Sequence, residues 1–548
     1  MLYPRPDPQA ADRRLAWSDL IWFLTAAAII FGGFYASLKP FESSLRFDSI
    51  LYMSGAKALA SGDGYVNGMF SGNPRIGSYP PLQSWLLSLL WRIRPGYPGN
   101  ADILGWGMLM ISWGAMGAAY CFIRRHHVPA WLATLFLANW AISPNWLQFV
   151  FLLMSDAAFV AIVLGVALIW LGPWPGRLTS ATWALTGIGL GAAYLCRSAA
   201  LPFLAVAAVT AAWQLRCRRW QPLASCGIPM AVALIGWRSW TMGGDTGTGY
   251  QSLFQGYLDE IGGWRGYPSV LWDNLLLTLS GRPFYDTVLY LPTWVLSAAS
   301  RRLGPIQQTI VLTCFGLAFA ASVGMAFWWL RKQRSMAMKV LGIASLLYFL
   351  QILVLPYSFR AYSREYPRLL FPLVAPLFAW SWSGITLFLA HPWRIRLLNI
   401  ILACGLTLNL LWMLPFSRML ITSTVFMHHR LDEIREVADW VNQRTAPDAT
   451  VAAGFFVEIP QLNGLTGRPI LSDYIYPRSF WVPVSNAEQR NQRADYIVIT
   501  DLGPKTNAPS GLLREVMRSS GGTYGVLRVD PDLERRWRKD KGLPRSPD

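Results

Sequence analysis

Two aspartates stand where a membrane chain would ordinarily avoid them. Asp48 lies in Leu45-Arg46-Phe47-Asp48-Ser49, just past the first apolar stretch, and Asp156 in Met154-Ser155-Asp156-Ala157, at the mouth of a later one. Carboxylates held beside a bilayer are costly, so two near one membrane face point to chemistry there. A run of arginines and tyrosines, Arg360, Tyr362, Arg364, Tyr366 and Arg368, precedes Leu369-Leu370-Phe371-Pro372, and Arg197 ends another apolar stretch. A carboxylate can take the proton from a hydroxyl, which is a poor nucleophile until it loses it. Guanidinium groups can neutralise a departing phosphate through paired hydrogen bonds. Phosphate leaves without a proton, so one base suffices, unlike the acid and base pair of glycoside hydrolysis. Together they suit transfer of a group from a lipid phosphate.

The elements that must position these residues follow from composition. The 548 residues are 53% hydrophobic, include 28 Trp and are only 14% charged. This is a membrane composition. The net charge of +18 is concentrated in residues 1–414, with 30 Lys+Arg against 14 Asp+Glu; residues 415–548 carry 18 against 16. Loop charges that orient a membrane protein account for that bias, so no nucleic-acid partner is expected. Six cysteines in or beside apolar stretches form neither a disulfide framework nor a metal spacing. His428-His429 reads as solvent-exposed.

Arg13-Arg14, Arg124-Arg125, Arg177, Arg216 with Arg218-Arg219, Arg331-Lys332 with Arg334, and Arg394 with Arg396 are expected on the cytoplasmic side. One path satisfies them with about eleven spans, near 18–38, 103–122, 130–148, 157–171, 181–196, 200–215, 223–240, 307–330, 338–356, 369–390 and 396–415. The expected fold class is thus an α-helical polytopic membrane protein with a small C-terminal α/β domain outside the membrane. Residues 1–17 form a cytoplasmic N-terminus and 18–415 the membrane domain. Residues 39–100 and 241–306 are long outer loops, 416–530 the soluble domain and 531–548 a charged, disordered tail. In the first outer loop, Ser49–Ala60 and Leu82–Leu90 are too short to span and read as interfacial helices, the second opened by the stiff turn Tyr79-Pro80-Pro81. The 241–306 loop, rich in Gly, Trp and Tyr, is placed to act as a lid. Leu431–Arg444 has helical spacing, while 450–453 and 496–499 read as strands.

The order of these features resembles the GT-C fold glycosyltransferases, in the branch of protein O-mannosyltransferases and lipid A aminoarabinose transferases. An Asp follows the first span, Pro80-Pro81-Leu82 opens an interfacial helix, a second Asp lies in the next outer loop, and Arg368-Leu369-Leu370-Phe371-Pro372 comes late. The likeness covers residues 18–415, and Leu465-Thr466-Gly467-Arg468-Pro469 resembles the outer domain of bacterial members. It implies a polyprenyl-phosphate-linked sugar donor, inversion at the anomeric carbon, and Asp48 as catalytic base or metal-linked carboxylate. Asp156 is the second catalytic or cation-holding carboxylate, so a divalent cation, Mg, Mn or Zn, is the cofactor left open. Arg368, Arg364, Arg360 and Arg197 are the candidate donor-phosphate ligands. Tyr79, Tyr362 and Tyr366 are the candidate substrate or lipid contacts. The acceptor is a hydroxyl on protein, lipid or glycan, and the expected location is the bacterial inner membrane, facing the periplasm. The sequence departs from many relatives at Ser49, where they carry a second acid or an Arg, and at Tyr79, where they carry Lys.

Plainer roles are open for each. Asp48 could cap a helix starting at Ser49, and Asp156 one starting at Ala157. The arginines could hold lipid headgroups, and the tyrosines belong equally to an interfacial aromatic belt. A transporter or flippase, or a glycan polymerase or ligase using a diphosphate-linked donor, is the rival reading.

Overall fold

The computed structural model describes residues 17–29, 47–69, 75–77, 79–172, 179–217, 219–242, 258, 262–279, 305–333, 335–354, 369–389, 391–420, 431–453, 459–472, 495–500, 513–520, 522, 524–533 and 536. Helices dominate as far as residue 420: α1 (Trp17–Ile29), α2 (Phe47–Ser61), α3 (Leu82–Ile93), α4 (Ala101–Arg125), α5 (Ala130–Ala141), α6 (Pro144–Phe151), α7 (Asp156–Trp170), α8 (Ser180–Cys196), α9 (Leu201–Trp213), α10 (Gln221–Met242), α11 (Tyr267–Leu279), α12 (Pro305–Lys332), α13 (Met336–Val354), α14 (Phe371–Leu389) and α15 (Pro392–Leu420). Among the described residues, four helices are long and apolar enough to cross a membrane: α4, α13, α14 and the Pro392–Pro415 part of α15. The pair α6 and α7 makes a fifth candidate, bent by 108°.

The span expected over 130–148 is broken. Ser143 precedes Pro144 and takes an extended conformation, φ −61° and ψ 137°. The proline ring disfavours a helical residue before it, so α5 ends and α6 begins afresh. Ser143 then caps α6, its hydroxyl accepting from Trp146 N at 3.2 Å. The helix expected to end at Pro415 instead runs through it to Leu420.

Small residues allow close helix approach in the bundle. A Cβ on Gly187 of α8 would lie 2.4 Å from the Cys226 carbonyl oxygen of α10, and one on Gly384 of α14 would lie 2.4 Å from Met325 O of α12. Both neighbours are backbone and cannot swing aside. Gly187→Ala is therefore expected to push α8 from α10 and cost about 1–3 kcal/mol, read as a lower unfolding temperature of the purified protein.

The two ends of the bundle differ. At one end Asp19 of α1 is buried and ion-pairs with Arg124 of α4 at 2.7 Å. There the guanidinium of Arg125 donates to Leu171 O, and Ser383 Oγ donates to His126 O at 3.3 Å. The opposite end carries α2, α3 and the link between α6 and α7. Both expected helices of the first outer loop are present, α2 two residues longer at its start and α3 running to Ile93. Helix α3 turns Gln83, Ser84, Leu87, Ser88 and Trp91 inward and leaves Trp85, Leu89 and Ile93 exposed. An exposed apolar face over a polar inner face suits a helix lying against lipid.

Beyond α15 come α16 (Leu431–Arg444), α17 (Ile459–Thr466) and a five-stranded mixed sheet. Its order is β2-β1-β3-β5-β4, with β1 (Val451–Ala453), β2 (Ile470–Ser472), β3 (Tyr496–Thr500), β4 (Leu513–Arg518) and β5 (Tyr524–Val529). Strand β1 is parallel to both β2 and β3, and β5 is antiparallel to β3 and β4. The apolar stripe of α16, Ile434, Val437, Ala438 and Val441, is buried. The segment read as disordered from 531 starts with a helical turn, since Asp530 Oδ1 accepts from Asp532 N and Leu533 N at 2.9 and 3.0 Å. Residues 534–548, apart from 536, lie outside the described residues.

Candidate active site

The site is built from chain ends that meet at the 152–156 link. Helix α6 closes with a reversed turn in which Leu153 N donates to Val150 O and Met154 N to Phe149 O, both at 3.1 Å. This is a Schellman closure, whose left-handed position is ordinarily Gly. Here Leu153 occupies it at φ +55°, almost wholly buried. A non-glycine residue held there costs roughly 1–3 kcal/mol and persists where its surroundings over-determine it. Those surroundings are α3 and α2. Gln83 of α3 donates through Nε2 to Leu153 O at 3.0 Å. Ser49 Oγ of α2 reaches Met154 Sδ at 3.8 Å, and Tyr52 OH bonds Ser155 Oγ at 3.0 Å.

Asp156 is the first residue of α7, 3% exposed. It does not cap a helix starting at Ala157; Ser155 holds the N-cap position, and its side chain makes no capping bond. One Asp156 oxygen, Oδ1, takes an ion pair from Arg197 Nη1. The other, Oδ2, is buried with no hydrogen-bond partner among the described residues. Arg197 ends α8 in an extended conformation, φ −151° and ψ 127°, aided by the neighbouring Cys196 Sγ, which donates to Ser155 O at 3.4 Å.

Asp48 is the second residue of α2, one residue before Ser49. The helix begins at Phe47, so Asp48 sits inside the first turn rather than capping it. Its side chain lies outside the described residues, and so do Arg360, Tyr362, Arg364, Tyr366 and Arg368. The described residues after Arg368 enter the same end of the bundle. Leu369 O accepts from Tyr348 OH at 2.8 Å, and Phe371 packs edge-on against Trp146 and Phe149 of α6, with ring centroids 5.0 and 6.0 Å away. Tyr79 is half-buried, its ring meeting that of Tyr52 edge-on at 5.5 Å while its carbonyl accepts from Tyr65 OH at 2.8 Å.

Residues beyond 430 pack on the first outer loop. Lys57 Nζ of α2 donates to Asn463 Oδ1 of α17 at 2.7 Å, and Ile470 N to Met69 O at 3.2 Å. Burial lowers the Lys57 ammonium below its ordinary pKa, and Asp63 pulls it partway back. A Cβ on Gly464 would collide with Tyr97 O, so only glycine lets α17 lie so close to the first outer loop. The Leu465–Pro469 segment is a structural joint. Gly467 turns at φ +70°, and Arg468 Nη1 donates to Thr445 Oγ1 and Ala446 O, both at 2.8 Å.

Sequence reasoning missed Tyr52, Gln83, Ser155 and the left-handed Leu153. Tyr52 alone had a local signal, lying four residues after Asp48 and hence on the same helical face. As for a divalent cation, one oxygen of Asp156 is occupied by Arg197, and the described residues hold no group of three or more His, Cys, Asp or Glu. A hard cation takes about six oxygen ligands. Asp48, the other candidate ligand, has its side chain outside the described residues, and no step of the proposed reaction is routed through a metal.

No family model and no curated protein matches the sequence. Solved structures do match the fold. ArnT from Cupriavidus metallidurans bound to undecaprenyl phosphate aligns over 95% of this chain and 99% of its own, with TM-score 0.53 at 12% identity. The archaeal oligosaccharyltransferase AglB from Archaeoglobus fulgidus, in complex with an inhibitory peptide and a dolichol-phosphate, aligns over 88% of this chain and 69% of its own, with TM-score 0.53 at 11% identity. The Archaeoglobus fulgidus oligosaccharyltransferase in complex with Zn and sulfate gives TM-score 0.52 at 12% identity, over 88% and 67%. Through these neighbours, and over most of its length, the chain is identified as a GT-C fold membrane protein.

Proposed function

We propose that this chain is an inverting glycosyltransferase that moves a sugar from a polyprenyl-phosphate donor to an acceptor hydroxyl at the outer membrane face. The carrying observation is the meeting of the Asp48-bearing helix, the start of the Pro-Pro-Leu helix and the Asp156–Arg197 pair around one strained turn. The binding of undecaprenyl phosphate and dolichol-phosphate by fold neighbours supports the donor class.

In this reading Asp48 accepts the acceptor's proton as its oxygen attacks the anomeric carbon. The new glycosidic bond forms on one face while the sugar–phosphate bond breaks on the other. The phosphate leaves with the bonding electrons and is neutralised by Arg368, with Arg364 or Arg360, and by Arg197. Asp156 holds Arg197 in place. An apolar cavity lined by Val163, Phe203 and Val340 with Pro372 and Pro376 of α14 lies within the bundle. The gathering of Arg124 and Arg125 with Asp19 at the opposite end of the bundle supports a cytoplasmic N-terminus and a periplasmic site in a bacterial inner membrane. The sheet-bearing C-terminal part then covers the site or selects the acceptor.

Supplying purified protein with polyprenyl monophosphate and diphosphate sugars tests the donor. Release of polyprenyl phosphate from the monophosphate donor is expected; turnover of the diphosphate donor alone would overturn it and favour a polymerase or ligase.

A further inference from the structure

Among the described residues, Ser49 and Tyr52 of helix α2 both reach the 153–156 turn, and their contacts are unequal. Ser49 Oγ to Met154 Sδ spans 3.8 Å to a weak acceptor. Tyr52 OH to Ser155 Oγ spans 3.0 Å between two buried hydroxyls. Tyr52 lies one helical turn from Asp48, and Ser155 is the residue before Asp156. Ser155 holds an N-cap position but makes no capping bond, although such a bond ordinarily contributes about 1 kcal/mol. The Tyr52 ring also braces the Tyr79 ring at 5.5 Å. One side chain therefore joins all three segments of the site.

We propose that Tyr52 is a positioning residue that sets Asp48 against the Asp156–Arg197 pair through its hydrogen bond to Ser155. The inference rests on Asp48 being the base. Near-attack geometry is sensitive, and a displacement of 1 Å can cost about 10²-fold in rate. Gln83 holds the same turn from the α3 side, so removing the Tyr52 hydroxyl shifts α2 relative to the turn without releasing the turn itself.

The test uses the full-length protein in lipid, with a polyprenyl-phosphate sugar as donor. Tyr52→Phe is expected to lower kcat about 10- to 100-fold, with donor KM within about twofold and little change in unfolding temperature. Ser155→Ala is expected to reproduce the defect, and the double variant to be no slower than either single. Thr186→Val breaks a buried bond from Trp170 Nε1 (2.7 Å) at the other end of α7 and serves as control; it is expected to lower stability and leave kcat unchanged. The proposal is overturned if Tyr52→Phe and Ser155→Ala keep kcat within twofold, if they act through stability alone as the control does, or if their effects multiply. Asp48→Asn separates the two levels. Full activity in that variant defeats the parent reading, whereas an inactive Asp48→Asn beside a normal Tyr52→Phe defeats only this inference.

Discussion

Asp48→Asn is expected to lower kcat by about 10²–10⁴-fold, the range contributed by a positioned general base. The change keeps the size and shape of the side chain and removes its charge and its capacity to take a proton. Helix α2 survives it, because its hold on the protein comes from buried Ile50, Met53 and Ala56 and from the Tyr52–Ser155 bond. Loss of a negative charge in the first turn costs about 0.3–1 kcal/mol against the helix dipole, too little to unfold the protein. Donor KM is expected to stay nearly constant, since the proposed phosphate ligands are arginines and not Asp48. Steady-state kinetics beside a thermal melt reads both. Near-normal kcat in a correctly folded variant would remove Asp48 from the chemistry.

The second large effect concerns Arg197. Asp156 is buried and Arg197 half-buried, the side chains 4% and 16% exposed. Removing one partner strands the other charge, and such losses run to about 3–5 kcal/mol. Arg197→Gln is therefore expected to destabilise the protein strongly, because Asp156 Oδ2 already has no partner among the described residues. Asp156→Asn added to Arg197→Gln is expected to restore much of that stability, since neither buried charge is left alone. It is not expected to restore activity, because the guanidinium for the donor phosphate is gone. Unfolding temperature and donor KM, measured on both singles and the double, separate the two roles. A double variant less stable than either single would contradict the pairing, and one with normal donor KM would remove Arg197 from the phosphate site.

Local pattern carried a good part of the architecture. The apolar spacing of Ile50, Met53 and Ala56 marked α2, Pro80-Pro81 marked the start of α3, and Leu431 to Val441 marked α16. The break at Ser143-Pro144 was also written locally, but apolarity over 130–148 outweighed it. What local pattern could not carry was pairing at a distance. Arg197 meets Asp156 across 41 positions and Tyr52 meets Ser155 across 103. Nothing in either segment names its partner, because these contacts exist only once α8 and α2 have packed around the link. Leu153 was hidden for another reason: a left-handed turn is signalled by Gly or Asn, and a buried leucine reads as core.

The central claim is that this protein changes the covalent partner of a sugar. Its most direct measurement follows the label of a radiolabelled polyprenyl-phosphate sugar in vesicles containing the purified protein and a hydroxyl acceptor fraction. Label is expected on the acceptor with one free polyprenyl phosphate per sugar, appearing about 10²–10⁴-fold more slowly with Asp48→Asn. Label that crosses the bilayer still attached to its lipid, with no free polyprenyl phosphate formed, would contradict it.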